Sequence, residues 1–163
     1  MSRGYLVLLV VVAVVVGAGV YWLRQPAVPP PIDGIACQPM EATGFHIHAH
    51  LEIWLDGRRV EIPAGIGGVS GCWYWLHTHT PDGIVHIEAP RDMGFTWGQF
   101  FAIWGKAAPV IPPDAKVWVD REDGKGSLPY AGDWHSLVLT AHQKVSIGTG
   151  DFTPQSFTFP EGL

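Results

Sequence analysis

An unbroken apolar run fills residues 6–23, bracketed by Arg3 and Arg24, after which the pattern of the chain changes completely. A helix needs about 20 consecutive apolar residues to cross a bilayer, so this run predicts a transmembrane helix within residues 1–24. A cleaved export signal is the competing reading. Its apolar region is usually shorter, about 7 to 15 residues, and Gly17-Ala18-Gly19 is not a clean A-x-A site, so an uncleaved anchor is favoured. The sequence carries no second apolar span of that length. The expected arrangement is a single-pass protein with its N-terminus cytoplasmic and its domain on the extracytoplasmic side. Gln25-Pro26-Ala27-Val28-Pro29-Pro30-Pro31 follows, and successive prolines favour extended polyproline II, which predicts a short stiff linker over residues 25–32. The remaining residues, 33–163, are left for one domain.

Within that domain the periodicity is that of strands. Phe45-His46-Ile47-His48-Ala49-His50-Leu51-Glu52-Ile53 alternates apolar and polar residues, the period of a strand with one buried face. Asp56-Gly57 predicts a tight turn into a partner strand over residues 59–62 that Pro63 closes. A second hairpin is expected from residues 73–79 and 84–89 around Thr80-Pro81-Asp82-Gly83, where proline presets one turn dihedral and glycine supplies a positive φ. Further strands are expected over residues 116–120, 137–140 and 143–147. Thr96 and Gln99 form a capping-box pair, and Trp97, Phe100, Phe101 and Trp104 follow at the spacing of one buried helical stripe, with Gly105 placed to end it. These aromatics read as core ahead of a ligand platform. The fold class predicted is α+β, a mainly antiparallel sheet packed on one short helix, β-grasp-like or a small sandwich.

Composition narrows the function classes. Hydrophobic residues make up 47% of the chain and charged residues only 15%, which argues against general disorder. The net charge of −5, with no block of Lys or Arg, argues against a nucleic-acid partner, since phosphate backbones are bound by clustered cations. The two cysteines, Cys37 and Cys72, favour a disulfide in an exported chain, worth about 3 to 4 kcal/mol in the chain-entropy model. Cys72 as a metal thiolate is the alternative, because two histidines follow it closely.

Six of the eight histidines lie in one short stretch: His46, His48, His50, His77, His79 and His86. Residues two apart on a strand share a face, so His46, His48 and His50 project together, as do His77 and His79. If the turn is the four-residue loop 80–83, His77 pairs with His86 and residue 75 with Glu88, which gathers His77, His79, His86 and Glu88 on one face. One strand can give two imidazoles to one ion, because same-face neighbours are about 7 Å apart. A third is about 13 Å away and must serve another ion, orient a ligand, or do neither. A mononuclear site would take two of His46, His48 and His50 and one or two of the others, whereas a dinuclear site would use nearly all. Glu88 and Glu52 are candidates to orient a ligand imidazole or act as a base, and the alternative for each is a solvated strand carboxylate. His135 and His142 read as surface residues, and Asp82 as part of the turn. An imidazole-dominated set suits copper or zinc, and with only Met40 and Met93 in the domain a thioether Cu(I) carrier is disfavoured.

His46-Ile47-His48-Ala49-His50-Leu51, Leu76-His77-Thr78-His79, Gly83-Ile84-Val85-His86-Ile87-Glu88-Ala89-Pro90 and Gly98-Gln99-Phe100-Phe101 occur in that order. As a set they resemble an uncharacterised family of prokaryotic, membrane-anchored extracytoplasmic proteins, and the likeness covers most of residues 40–148. The resemblance implies the domain boundaries and the compartment, not a chemistry. It also implies an acidic residue where Thr80 stands, so a carboxylate expected there is missing from this chain. Three functions remain open at this level: a protein that holds copper or zinc for homeostasis or delivery, a metal-dependent hydrolase or copper oxidase, and a metal-free domain that meets a protein partner through aromatics such as Trp54 and Trp75.

Overall fold

The computed structural model describes residues 3–24, 28–69 and 71–163. The apolar run forms α1 (Arg3–Arg24), a helix long and apolar enough to cross a membrane, with a mean hydropathy of 2.5 over Arg3–Trp22. Residues 25–27 of the expected linker lie outside the described residues. The last part of that segment is joined to the domain, because the Tyr74 hydroxyl donates to the Pro30 carbonyl at 2.8 Å and Ile32 bridges to Ile35.

The domain is α+β. In chain order its strands are β1 (Cys37–Gln38), β2 (Phe45–Leu55), β3 (Arg58–Val60), β4 (Gly68–Val69), β5 (Cys72–Tyr74), β6 (Leu76–His77), β7 (Ile84–Ala89), β8 (Lys116–Asp120), β9 (Leu128–Pro129) and β10 (Lys144–Gly148). A seven-stranded sheet runs β6-β7-β2-β10-β8-β9 with β3 also on β2, and a three-stranded sheet runs β1-β5-β4. All the pairings are antiparallel except that of β2 with β10. The expected turn between β2 and β3 forms with both Asp56 and Gly57 at positive φ, as a two-residue hairpin of the favoured twist requires.

Two segments differ from the periodicity. The run over residues 73–79 divides at Trp75: β5 pairs into the small sheet and β6 into the large one. At the break the Trp75 amide donates to Ala36 and its carbonyl accepts from Glu88, so one extended run serves two sheets. Residues 137–140 form no strand of a sheet. Their backbone bonds go to the segment before the helix, with Trp97 N donating to the Leu137 carbonyl and Leu139 N to Phe95.

The helix α2 (Trp97–Trp104) has the expected capping box, with Gln99 N donating to the Thr96 hydroxyl and Thr96 N to the Gln99 side chain. Its buried residues Trp97, Phe100 and Trp104 join Ala49, Leu51 and Ile53 of β2, Val85, Ile87 and Ala89 of β7, and Val145 and Ile147 of β10 in the main core. These strand residues share one parity, so the core lies on one face of the large sheet and the histidines of β2, β6 and β7 lie on the other. Cys37 and Cys72 form a disulfide, which ties β1 to β5 and leaves no thiolate for a metal.

Beyond His46, the polar face of β2 is not solvated, contrary to the simple alternation. His48, His50 and Glu52 are all buried. The irregular C-terminal segment after β10 covers part of this face. Phe157 stacks on His50 at 3.7 Å between ring centres, Gln155 N donates to Glu52 at 3.1 Å, and Phe152 stacks on Trp54.

Candidate metal centre

The large sheet brings the histidines together by register. His48 of β2 pairs with His86 of β7, which pairs in turn with His77 of β6, so three imidazoles stand side by side across three adjacent strands. In the next row His46 is opposite Glu88. His79 extends the β6 side just beyond the strand. The pairing of His77 with His86 is the one the four-residue loop predicts, and Asp82 holds that loop as a turn residue, accepting from Ile84 N at 3.0 Å and from the Thr80 hydroxyl at 2.7 Å.

The donor atoms approach at ligand spacing. Nε2 of His46 lies 3.0 Å from Nε2 of His48, and Nε2 of His77 lies 3.1 Å from Nε2 of His79. Two nitrogens each about 2.0 to 2.1 Å from one ion are about 2.9 Å apart at a right angle and about 3.4 Å apart at the tetrahedral angle, so both pairs fit a shared ion without rearrangement. Among the described residues two donor groups result: His77, His79, His86 and Glu88 in one, and His46, His48 and His86 in the other, with the atoms of each group within 4.8 Å of one another. Both are able to hold a metal ion, and His86 belongs to each.

Hydrogen bonding sets the proton positions. His77 Nδ1 donates to the Tyr74 carbonyl at 2.9 Å, and because a carbonyl only accepts, the neutral ring must leave its Nε2 lone pair free toward His79. A carbonyl behind a ligand imidazole is the usual way a metal site fixes tautomer and ring orientation. Gly67 makes room for this arrangement: a Cβ there would come within 2.6 Å of the Leu76 carbonyl and 2.9 Å of the His77 Cβ, and its φ of +79° suits glycine. By contrast, Nδ1 of His86 is buried without a hydrogen-bond partner, the kind of atom that a folded protein leaves unpaired only at a cost.

The electrostatics favour neutral imidazoles at His48, His77 and His86. Burial pushes His77 down to about 4, and burial followed by the charges of His46, His142 and His79 pushes His48 down to about 4. His86 falls further, to about 3, through burial and then the surrounding imidazoles His48, His79, His77 and His46. These rings are therefore unprotonated at neutral pH, the form that binds a metal. Burial raises the Glu88 carboxyl above its ordinary value, and the charge of Glu41 adds to the effect. Glu88 Oε1 lies 3.1 Å from His46 Nε2 and 3.7 Å from His86 Nδ1.

His50 lies outside both groups. Its Nε2 is 3.1 Å from the Asp82 carbonyl and its ring is covered by Phe157. Glu52 is likewise engaged elsewhere, accepting from Ser146 Oγ at 2.8 Å and from Gln155 N. His135 is exposed beside Asp133, and His142 is half-buried between Glu122 and the Leu163 carbonyl. Trp54 and Trp75 are half-buried against Phe152 and Phe95 and form no open aromatic surface.

Two neighbours of the cluster escaped the sequence reading. Glu41 places Oε1 3.1 Å from His79 Nε2 and 3.8 Å from His77 Nε2. It sits in an irregular loop where no periodicity marks it, and the only local signal is its closeness in sequence to the disulfide residue Cys37. It brings a carboxylate beside His79, whereas the hydroxyl of the adjacent Thr80 is used by the turn. Trp73 flanks the same side, its ring centre 5.1 Å from that of His77 and 5.0 Å from that of His79.

Compared with known proteins, the chain matches no family model, no curated protein and no solved structure, so its functional reading rests on its own side chains.

Proposed function

We propose that this protein is a membrane-anchored, extracytoplasmic transition-metal-binding protein that holds copper or zinc through its histidine cluster, for metal homeostasis or delivery. The observation that carries the reading is the row His48–His86–His77 across three strands, flanked by His46 and His79 with Nε2 atoms at 3.0 and 3.1 Å from their partners. Random decoration of a solvated strand would not leave three buried imidazoles in one row beside two carboxylates. Imidazole nitrogen suits copper and zinc, and copper leads zinc in intrinsic affinity. The N-terminal helix supports the anchor, and the disulfide supports an oxidising compartment.

A metal-dependent enzyme is the second reading. The side chains of His46 and His79 are 48% and 35% exposed, so one edge of the cluster meets solvent and an ion there could keep an exchangeable water. Three imidazoles with an open position lower the pKa of bound water toward 7, the basis of metal-assisted hydrolysis.

The test is the metal content of the full chain, purified in detergent without a histidine tag, before and after supply of copper or zinc. Near-stoichiometric metal, lost on combined His46→Ala and His79→Ala substitution, is the expected outcome. A protein that retains no ion at micromolar free metal refutes the reading and returns the domain to a metal-free role. Protease accessibility of the domain in intact and opened cells checks the side on which it lies.

A further inference from the structure

The two donor groups share His86 but do not merge. Ligand atoms on one ion are at most about 4.2 Å apart, twice the metal–nitrogen distance, so atoms that fail to fall within 4.8 Å cannot all bind one ion where they stand. The sheet explains the separation. The pair His46 and His48 rises from β2 and the pair His77 and His79 from β6 and the loop after it, with β7 between them. Strands two apart are about 9.5 Å from each other, enough to give each His-x-His pair its own ion.

What stands between the pairs is also ligand chemistry. His86 is midway, its ring centre 4.6 Å from that of His48 and 4.5 Å from that of His79, and its buried Nδ1 has no partner. Glu88 Oε1 lies by both His46 and His86. Glu41 closes the outer side of the second pair. Glu88 stands between the pairs with His86, 3.1 Å from His46 Nε2 and also in the donor group of His77 and His79, whereas Glu41 is beside the second pair alone. One divalent ion would leave one of the two His-x-His pairs without a cation.

Building on the metal-binding reading above, we infer that the cluster is a two-ion centre: one divalent transition-metal ion on His46 and His48, a second on His77 and His79 with Glu41, and His86 and Glu88 between them. Glu41 is thus a metal ligand, delivered by the loop that the Cys37–Cys72 disulfide fastens to β5.

The decisive measurement is stoichiometry on the full chain in detergent, titrated with Zn(II) and with Cu(II) and read by elemental analysis after removal of free metal. Two equivalents are expected for the native protein. His46→Ala and His79→Ala should each retain one, and Glu41→Gln should weaken only the ion that His79→Ala removes, by about tenfold or more. All three substituted side chains are partly exposed, and circular dichroism of each variant confirms the fold. Cu(II) loading adds an independent readout, since two neighbouring ions couple magnetically and lose electron-spin signal that each single-pair variant regains. A single equivalent, abolished equally by His46→Ala and His79→Ala, overturns the two-ion centre and leaves the metal-binding reading intact. No bound metal at all overturns both.

Discussion

At the scale of single residues, the fold keeps four histidines neutral: His48, His77 and His86 of the cluster, and His50 beside it. His50 and His77 are buried and held near 4, whereas in the unfolded chain they titrate at about 6.5. Between those values the unfolded chain binds more protons than the native one, so this stabilisation is complete above pH 6.5 and is lost as the pH falls toward 4. His48 and His86 act in the same direction. Glu88, whose carboxyl is raised, opposes them over its own range, one group against four. Denaturant unfolding of the metal-free protein at pH 7.5, 6 and 5 should therefore show stability declining steadily, by up to about 1.4 kcal/mol per pH unit for each fully buried imidazole. A midpoint independent of pH over that range would mean that the rings are not buried as neutral species. His50 also illustrates what a strand period can and cannot say. It shares a face with His46 and His48 as the alternation requires, but its nitrogen is spent on the Asp82 carbonyl and its ring on Phe157.

At the scale of elements, the centre depends on how β7 and the C-terminal segment sit against β2. The β6–β7 loop requires Gly83, where a Cβ would meet the Leu51 carbonyl at 2.5 Å and His50 Nε2 at 3.0 Å. This close packing fixes the β7 register and with it the alignment of His86 with His48. The C-terminal segment works on the same face as a strap over His50 and Glu52 without contributing a donor to either group. Phe157→Ala should therefore cost about 1.5 to 3 kcal/mol, less than a fully buried phenylalanine because the ring is half-exposed, while metal stoichiometry stays unchanged. A thermal melt paired with a metal titration checks both halves, and loss of metal in this variant would show that the strap also shapes the donor groups. The helix α2 is legible in the sequence, because its cap and its aromatic stripe are local features, although Phe101 of that stripe is only partly buried. The break at Trp75 was not, since whether an extended run serves one sheet or two depends on partners elsewhere in the chain.

For the whole molecule, the domain begins earlier than the proline pattern suggests, because Tyr74 reaches back to Pro30 and Ile32 bridges to Ile35. A protein spanning residues 28–163 should be more stable than one spanning 33–163 by about 0.5 to 1.5 kcal/mol, the net worth of that hydrogen bond. Denaturant midpoints of the two truncations decide the point, and equal values would make residues 28–32 a true linker. By itself the sequence determined what depends on neighbours close along the chain: the apolar helix, the capped helix, the tight turns, the strand faces and the hairpin register that opposes His77 to His86. With only two cysteines it also pointed to their disulfide. Only the tertiary structure decided which histidines converge. Period two assigns a residue to a face of its own strand, but it does not say which strands are neighbours. That order, β6-β7-β2, placed His86 between the two His-x-His pairs. Long-range closure likewise brought β10 parallel to β2, laid the C-terminal segment across His50, and carried Glu41 from an irregular loop to the side of His79. None of these leaves a local pattern, because each is fixed by the packing of segments distant in sequence.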